Sequence, residues 1–171
     1  MHYDQRQKTI LVGIGLQLTA AATILGAFFF EYVIGLTPCP LCLAQRVPYY
    51  MLMALGPFLI LAAGKPRATP QIISYVPVVL LMGFSAYMGG YHAGAEWGFW
   101  PGPTTCAAPA ALPTTPADLL RQVQTAKPIA DCTVAAWRFL GVSLAGWNAV
   151  ISAMMTLVAI AGIVYSARKA V

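Results

Sequence analysis

Four long apolar stretches constrain the fold of this chain more than any other feature. They cover about residues 9–30, 44–63, 72–90 and 140–166, and the second alone contains a charged side chain, Arg46 near its beginning. Each approaches the roughly 20 residues that span a bilayer. Because hydrocarbon offers no water to backbone polar groups, such segments must be helices. The sequence therefore predicts an all-α integral membrane protein, a four-helix transmembrane bundle in one domain of residues 1–171.

The composition agrees with a membrane solvent. Hydrophobic residues make up 59% of the 171 residues and charged residues only 9%, whereas soluble domains carry about a quarter charged residues. A water-soluble monomer is excluded, and so is a disordered chain, which needs low hydrophobicity. The net charge is +5, but no basic face is present, so we expect membrane lipid and no nucleic acid as a partner.

Basic residues at the ends of the apolar stretches predict the orientation. They lie before the first stretch, between the second and third, and after the fourth: Arg6, Lys8, Lys65, Arg67, Arg168 and Lys169. Basic flanks stay in the cytoplasm, so both termini are expected inside. Loops of about residues 31–43 and 91–139 then lie outside. The longer one is rich in proline, and only Ala117–Ala126 is predicted to form a short amphipathic helix on the membrane surface.

All four cysteines fall in or next to the two outer loops. They are Cys39, Cys42, Cys106 and Cys132. An even number confined to one side indicates an oxidising compartment. Two interpretations stay open at this point: structural disulfides that staple the loops, or a relay of thiol–disulfide exchange.

The segment Cys39-Pro40-Leu41-Cys42 favours redox chemistry, because closing so short a loop stabilises a fold little. Cys39 stands where a helix N-cap would, and proline suits the first helical position. Cys42 then lies in the first turn, where the helix dipole and free N–H groups favour a thiolate. Arg46 follows one turn later on the same face and adds a positive charge.

The other two cysteines lie in accessible, proline-containing stretches. Cys106 and Cys132 are too far apart to be the second close pair of a zinc ribbon, and His92 completes no recognised metal-ligand spacing. No metal is therefore predicted. Mobility of the loop would let either cysteine reach another thiol pair, which favours a two-step relay.

Three segments together resemble the disulfide bond formation protein B (DsbB) family of bacterial inner-membrane oxidases. The first is Pro38-Cys39-Pro40-Leu41-Cys42-Leu43-Ala44-Gln45-Arg46. The second is Tyr91-His92-Ala93-Gly94 followed by Glu96-Trp97, and the third is Asp131-Cys132 with Trp137, Phe139, Leu140 and Gly141. With the four spans, the resemblance covers nearly the whole chain.

This resemblance implies an electron path. A reduced periplasmic DsbA-like thioredoxin-fold protein would attack a Cys106–Cys132 disulfide at Cys106. Electrons would pass by exchange to Cys39–Cys42 and then to a bound quinone, either ubiquinone or menaquinone. Cys42 would face the quinone ring as the thiolate. Arg46 would hold a quinone oxygen, and His92 would contact the quinone or accept a proton.

Two alternatives compete with the oxidase. One is a four-span structural or adhesion protein with stapled outer loops, for which Trp97-Gly98-Phe99-Trp100 is a weak sign. It gives no reason for a C-x-x-C beside an arginine. The other is a vitamin K epoxide reductase-like enzyme, which places its C-x-x-C in a late helix and not at the start of the second. Glu31, near the membrane edge, has no assigned role.

Overall fold

Four long helices make up most of the molecule. The computed structural model describes residues 2–65, 67–103, 115–117, 120 and 131–168, apart from the side chains of residues 2–6. The elements are α1 (His2–Phe28), a π-helical turn (Phe29–Val33), α2 (Pro40–Ala63), α3 (Ala68–Glu96), β1 (Arg138–Phe139), β2 (Val142–Ser143) and α4 (Leu144–Arg168). All four α-helices are long and apolar enough to cross a membrane. The predicted four-helix membrane bundle is confirmed, and the chain is a multi-pass membrane protein.

Helix α3 lies at the centre of the packing, against α4 and α2, while α1 packs mainly on α2. The buried core takes one stripe from each helix: Leu16, Ala20, Ile24, Tyr49, Leu52, Tyr75, Val78, Met82, Met155 and Ala159. Large apolar side chains also point away from the bundle on every helix, for example Leu25, Phe58, Leu80 and Leu157. Helices that are apolar on all sides are typical of a lipid solvent.

The helix limits differ from the predicted ones for local reasons. Helix α2 begins at Pro40, as the predicted N-cap at Cys39 and the proline at the first position require, and so extends beyond the apolar stretch of about residues 44–63. Helix α3 continues to Glu96 and does not end near residue 90. The Trp100 indole N–H donates to the Tyr91 carbonyl oxygen at 2.8 Å and so holds the chain that leaves this end.

A short hairpin, which the sequence did not indicate, precedes α4. Strands β1 and β2 are antiparallel, with Arg138 opposite Ser143. Leu140 and Gly141 both have positive φ, 53° and 80°, as a two-residue hairpin turn requires. The Ser143 hydroxyl then accepts from the Gly146 N–H at 3.1 Å and caps α4. The fourth helix therefore starts at Leu144 and not near residue 140.

Two predictions fall outside the described residues. One is the position of Cys106, and the other is most of the amphipathic helix expected at residues 117–126. The basic residue Lys169, used for the predicted orientation, lies outside them as well.

Candidate functional site

The C-x-x-C motif forms the beginning of α2. Cys39 is the N-cap residue, and its sulfur accepts a hydrogen bond from the Cys42 backbone N–H at 3.2 Å. The predicted cap and first-turn positions of these two cysteines are confirmed. Both are free thiols, and their sulfurs lie 2.8 Å apart. Closing a disulfide between them therefore needs only a short approach.

Cys132 brings the long loop between α3 and α4 to this pair. It is fully buried and disulfide-bonded, while Cys39 is 3% exposed. The sulfurs of Cys39 and Cys132 and a ring nitrogen of His92 all lie within 4.8 Å of one another. A thiol and a disulfide sulfur at this distance can react after a small movement, because exchange proceeds by direct attack of sulfur on sulfur.

The same three residues do not make a convincing metal site. Metal binding needs deprotonated, uncombined thiols, and the sulfur of Cys132 is already in a disulfide. Of this group, Cys39 and His92 then remain as two ligands, fewer than the three or four that zinc sites use. The donor set fits sulfur exchange better than it fits a cation.

Hydrogen bonds favour the thiolate at Cys39. The pKa of the Cys39 thiol lies well below its ordinary value. The largest cause is a hydrogen bond with the Cys42 thiol, and smaller ones are hydrogen bonds with the His92 ring and the Cys42 backbone, whereas burial acts in the opposite direction. The sequence indicates Cys42 as the thiolate, from its place in the first turn. In the structure the sulfur of Cys39, the capping residue, accepts a hydrogen bond from the Cys42 backbone N–H, and the thiolate at Cys42 stays a prediction.

His92 lies in the last turns of α3 and is 2% exposed. Its Nε2 is 3.7 Å from the Cys39 sulfur and 3.7 Å from Glu96 Oε1, one turn further along α3. Its Nδ1 is 2.8 Å from Gln45 Nε2 on α2. The predicted residue thus lies beside the predicted dithiol, held by two residues that sequence reasoning left without a role. Polar side chains in apolar helices were the signal that could have found them.

A cluster of polar side chains continues from Gln45 into the bundle. Asn148 on α4 contacts both Gln45 and Tyr49, each at 2.7 Å. Ser152 contacts Tyr49 at 2.7 Å and Ser85 at 2.9 Å. These bonds join α2, α3 and α4 close to the thiols. Buried polar groups that satisfy one another in this way hold the helices in one register.

A cavity of about 720 Å³ opens beside the thiols. Cys42 lines it, whereas Cys39 does not. Most of the wall is apolar and includes Ile24, Phe30, Leu144 and Ile151. Four polar side chains also line it: Gln45, Arg46, His92 and Asn148. Such a volume, with apolar walls and a few convergent polar groups, is typical of a small-molecule site.

Arg46 is held at this cavity by an acidic partner. Its Nη1 donates to Glu31 Oε2 at 2.5 Å, and the guanidinium carbon lies 5.4 Å from the centre of the Phe28 ring. Glu31 belongs to the π-helical turn that follows α1, a kind of element often found at functional sites. Glu31, to which the sequence assigned no role, therefore holds Arg46 in place.

A multi-pass bundle that places a free dithiol against a disulfide-bonded cysteine defines a class, the membrane thiol–disulfide oxidoreductases. Comparison with known proteins gives the family: residues 9–162 match the family model of disulfide bond formation protein DsbB. The chain belongs to this family and is a disulfide-forming oxidoreductase. The resemblance inferred from the sequence motifs is confirmed.

Individual relatives agree along the chain. It is 28% identical to disulfide bond formation protein B of Polaromonas sp. over 98% of this chain and 97% of that protein. It is 32% identical to the protein of that name from Marinobacter nauticus, over 81% of this chain and 82% of the relative. A third, from Polaromonas naphthalenivorans, is 29% identical over 96% and 94%. No solved structure matches this chain.

Proposed function

We propose that this protein is a membrane thiol:quinone oxidoreductase that reoxidises a periplasmic DsbA-like dithiol protein and so supports disulfide formation in secreted proteins. One observation carries the proposal. Cys39 lies within 4.8 Å of the disulfide-bonded Cys132, while its neighbour Cys42 lines the large cavity. Cys39 thus lies beside a second disulfide, whereas Cys42 lies at a ligand site.

Sulfur exchange begins at the outer loop. A partner thiolate attacks Cys106 of a Cys106–Cys132 disulfide and releases the Cys132 thiolate. This thiolate attacks Cys39 of an oxidised Cys39–Cys42 pair, forms a Cys39–Cys132 bond and leaves Cys42 as a thiolate. The second partner thiol then displaces Cys106, which in turn attacks Cys132 and frees Cys39.

The balance of these steps is one new disulfide on the partner and two thiols at Cys39 and Cys42. That redox state corresponds to the one in the structure, where Cys39 and Cys42 are free and Cys132 is disulfide-bonded. The dithiol then loses two electrons and two protons to an acceptor, and the electron pair leaves through Cys42 because Cys42 lines the cavity.

The residues around the cavity suit a quinone. A quinone would accept the two electrons and two protons. Its ring is apolar on both faces and carries two oxygens that accept hydrogen bonds. Arg46 offers N–H donors for such an oxygen, His92 lines the same cavity, and the apolar wall suits the ring and the start of an isoprenoid tail. Arg46 remains charged throughout, so it can bind a quinone oxygen and stabilise negative charge near Cys42.

We place the protein in the bacterial inner membrane, with both termini in the cytoplasm and the cysteines on the periplasmic side. Basic residues support this orientation: Lys65 lies after α2 and Arg168 ends α4, and such residues stay inside. The C-x-x-C at the opposite end of α2 then faces the oxidising compartment, where a dithiol partner that forms disulfides would act.

Quinone reduction by the purified protein tests the proposal. The protein in detergent is mixed with reduced DsbA-like dithiol and a soluble quinone, and loss of quinone absorbance is followed. Cys42→Ser and Cys106→Ser should each abolish turnover. Thr156→Val is the control, because the Thr156 hydroxyl bonds within α4, to the Ser152 carbonyl at 2.8 Å, and the variant should keep the wild-type rate. No turnover with either ubiquinone or menaquinone analogues would overturn the proposal and favour the stapled structural protein.

A further inference from the structure

A chain of hydrogen bonds runs from the middle of the bundle to the sulfur of Cys39. The Tyr49 hydroxyl donates to Asn148 Oδ1 at 2.7 Å, and Asn148 Nδ2 donates to Gln45 Oε1 at 2.7 Å. Gln45 Nε2 then donates to His92 Nδ1 at 2.8 Å. On the other side of the ring, His92 Nε2 lies 3.7 Å from the Cys39 sulfur. Helices α2, α3 and α4 all contribute to this chain.

The chain has a direction, and the direction determines which nitrogen of His92 carries the proton. A neutral imidazole has one N–H donor and one acceptor nitrogen. The Gln45 amide nitrogen can only donate, so Nδ1 must accept and Nε2 must carry the hydrogen. Gln45 cannot turn its amide around alone, because its oxygen already accepts from Asn148. Asn148 Oδ1 in its turn accepts from the Tyr49 hydroxyl, so a reversal of the chain would have to turn both amides together.

The Nε2–H bond points at the site of the chemistry. The Cys39 sulfur receives it together with donors from Cys42, namely the backbone N–H at 3.2 Å and the thiol. Among the described residues, the titratable groups that face Cys39 are Cys42 from α2 and His92 from α3, beside the disulfide of Cys132. Glu96 is a further titratable group on the Nε2 side of the ring, with Oε1 3.7 Å from the same Nε2.

We infer that Gln45 and Asn148 are positioning residues that fix His92 in the Nε2–H tautomer. In this state the ring donates a hydrogen bond to the Cys39 thiolate and cannot remove a proton from the Cys39 thiol. Gln45 is 6% exposed, so the orienting contact is shielded from water, which would otherwise compete for both nitrogens. The inference concerns the thiol chemistry of the family and requires neither a quinone nor a partner protein.

Nitrogen NMR tests the tautomer without any change at the site. The chain has two histidines, His2 and His92, so a His2→Gln variant labelled with ¹⁵N-histidine reports on His92 alone. Protonated and unprotonated ring nitrogens have well-separated shifts. We expect a protonated Nε2 and an unprotonated Nδ1 in the reduced protein. A protonated Nδ1 with a free Nε2 would mean that the amides point the other way, and it would overturn the inference.

A second measurement follows the reactivity of Cys39, in a background of Cys42→Ser, Cys106→Ser and Cys132→Ser. The rate of iodoacetamide alkylation against pH reports the thiolate. Gln45→Leu leaves Nδ1 without its donor and lets the ring change tautomer, so the midpoint should rise by about one to two pH units, the worth of one hydrogen bond to a charged group. Gln45→Glu should keep the low midpoint, because a carboxylate next to Nδ1 favours the doubly protonated ring, which still donates from Nε2.

This pair of variants separates positioning from packing. A merely structural role predicts the opposite order, because leucine suits a buried site and a carboxylate does not. Gln71→Leu is the matched control: Gln71 is also a buried glutamine, 2% exposed, but its amide bonds the Lys65 carbonyl at the other end of the bundle. It should leave the midpoint unchanged. Equal midpoints for the background protein, Gln45→Leu and Gln45→Glu would overturn the inference even if quinone reduction proceeds.

Discussion

The guanidinium of Arg46 is paired with the carboxylate of Glu31 across the wall of the cavity that Cys42 lines. The side chains are only 11% and 20% exposed, so each charge depends on the other for compensation. Removing one partner of such a pair leaves an uncompensated charge, which costs more than removing both. The pair therefore fixes the π-helical turn after α1 against the beginning of α2.

A double-mutant cycle measures this dependence. Arg46→Met should lower the free energy of unfolding by about 2 kcal/mol, because the Glu31 carboxylate loses its donor. Glu31→Gln should lower the free energy of unfolding by less than Arg46→Met does. The double variant should lower it by clearly less than the sum of the two single changes. Unfolding in mixed micelles with increasing dodecyl sulfate, followed by tryptophan fluorescence, gives the three values. Additive costs would show that the two side chains do not depend on each other.

The proximity of Cys39 and Cys132 predicts that a disulfide can form between the loop before α2 and the loop before α4. In a Cys42→Ser/Cys106→Ser protein these two cysteines remain, and their sulfurs lie within 4.8 Å, against about 2.05 Å in a disulfide. Mild oxidation should link them nearly completely. The matched control, Cys39→Ser/Cys106→Ser, leaves Cys42 and Cys132 and should link much more slowly. Mass spectrometry of digested protein identifies the bridge, and equal rates in the two proteins would contradict the geometry.

The hydrogen bond from His92 should make the Cys39–Cys42 disulfide more oxidising. A donor to the Cys39 thiolate stabilises the reduced state, and His92→Phe removes it. One hydrogen bond to a charged group corresponds to a reduction potential lower by about 30–60 mV in the variant. Equilibration with dithiothreitol buffers, in a Cys106→Ser/Cys132→Ser background, measures the potential. An unchanged potential at neutral pH would mean that the His92 ring does not stabilise the thiolate.

The effect of His92→Phe on the reduction potential should depend on pH in a definite direction. Because the pKa of Cys39 is lowered in the folded protein, the reduced protein is favoured at a pH above this lowered value, where the sulfur is ionised. The difference in reduction potential between wild type and His92→Phe should therefore be largest near neutral pH. It should disappear as the pH falls through the pKa of Cys39. A gap that grows toward low pH would contradict a donor role for His92.

Adjacent glycines on α3 provide a matched pair for the packing of α3 on α4. A Cβ added at Gly89 would lie 2.8 Å from the Ala149 nitrogen and 3.0 Å from the Ala145 carbonyl oxygen, both backbone atoms, whereas a Cβ at Gly90 would meet nothing within 4 Å. Gly89→Ala should destabilise by about 1–3 kcal/mol, because backbone atoms cannot move aside. Gly90→Ala should change stability little. The same dodecyl sulfate titration compares them, and equal stabilities would contradict the close approach of the helices.

Local sequence signals were sufficient for the helices and for the C-x-x-C. Apolar runs of bilayer length predicted four spans, and Cys39 before Pro40 predicted the N-cap, which the structure confirms. These features depend on neighbouring residues only, so periodicity and capping rules can identify them. The family resemblance followed from motifs of the same local kind.

Contacts between helices could not be predicted in the same way. Gln45 and Asn148 meet only because α2 and α4 pack in one particular rotation, which a single sequence does not specify. Glu31 pairs with Arg46 because the helix widens into a π-helical turn before the loop, and no residue in that segment signals the change. The hairpin before α4 was missed because its turn uses Leu140 at a positive φ, where glycine or asparagine is the usual sign.

A single-turnover reaction tests directly whether the Cys39–Cys42 dithiol passes electrons to a quinone, since it needs no partner protein. The reduced protein, with free thiols at Cys39 and Cys42 and a disulfide at Cys132 as in the structure, is mixed with one equivalent of ubiquinone or menaquinone. We expect one quinone to be reduced for each pair of thiols lost, and Cys42→Ser to abolish the reaction. Thiols that persist beside an oxidised quinone, with both quinones tested, would contradict it.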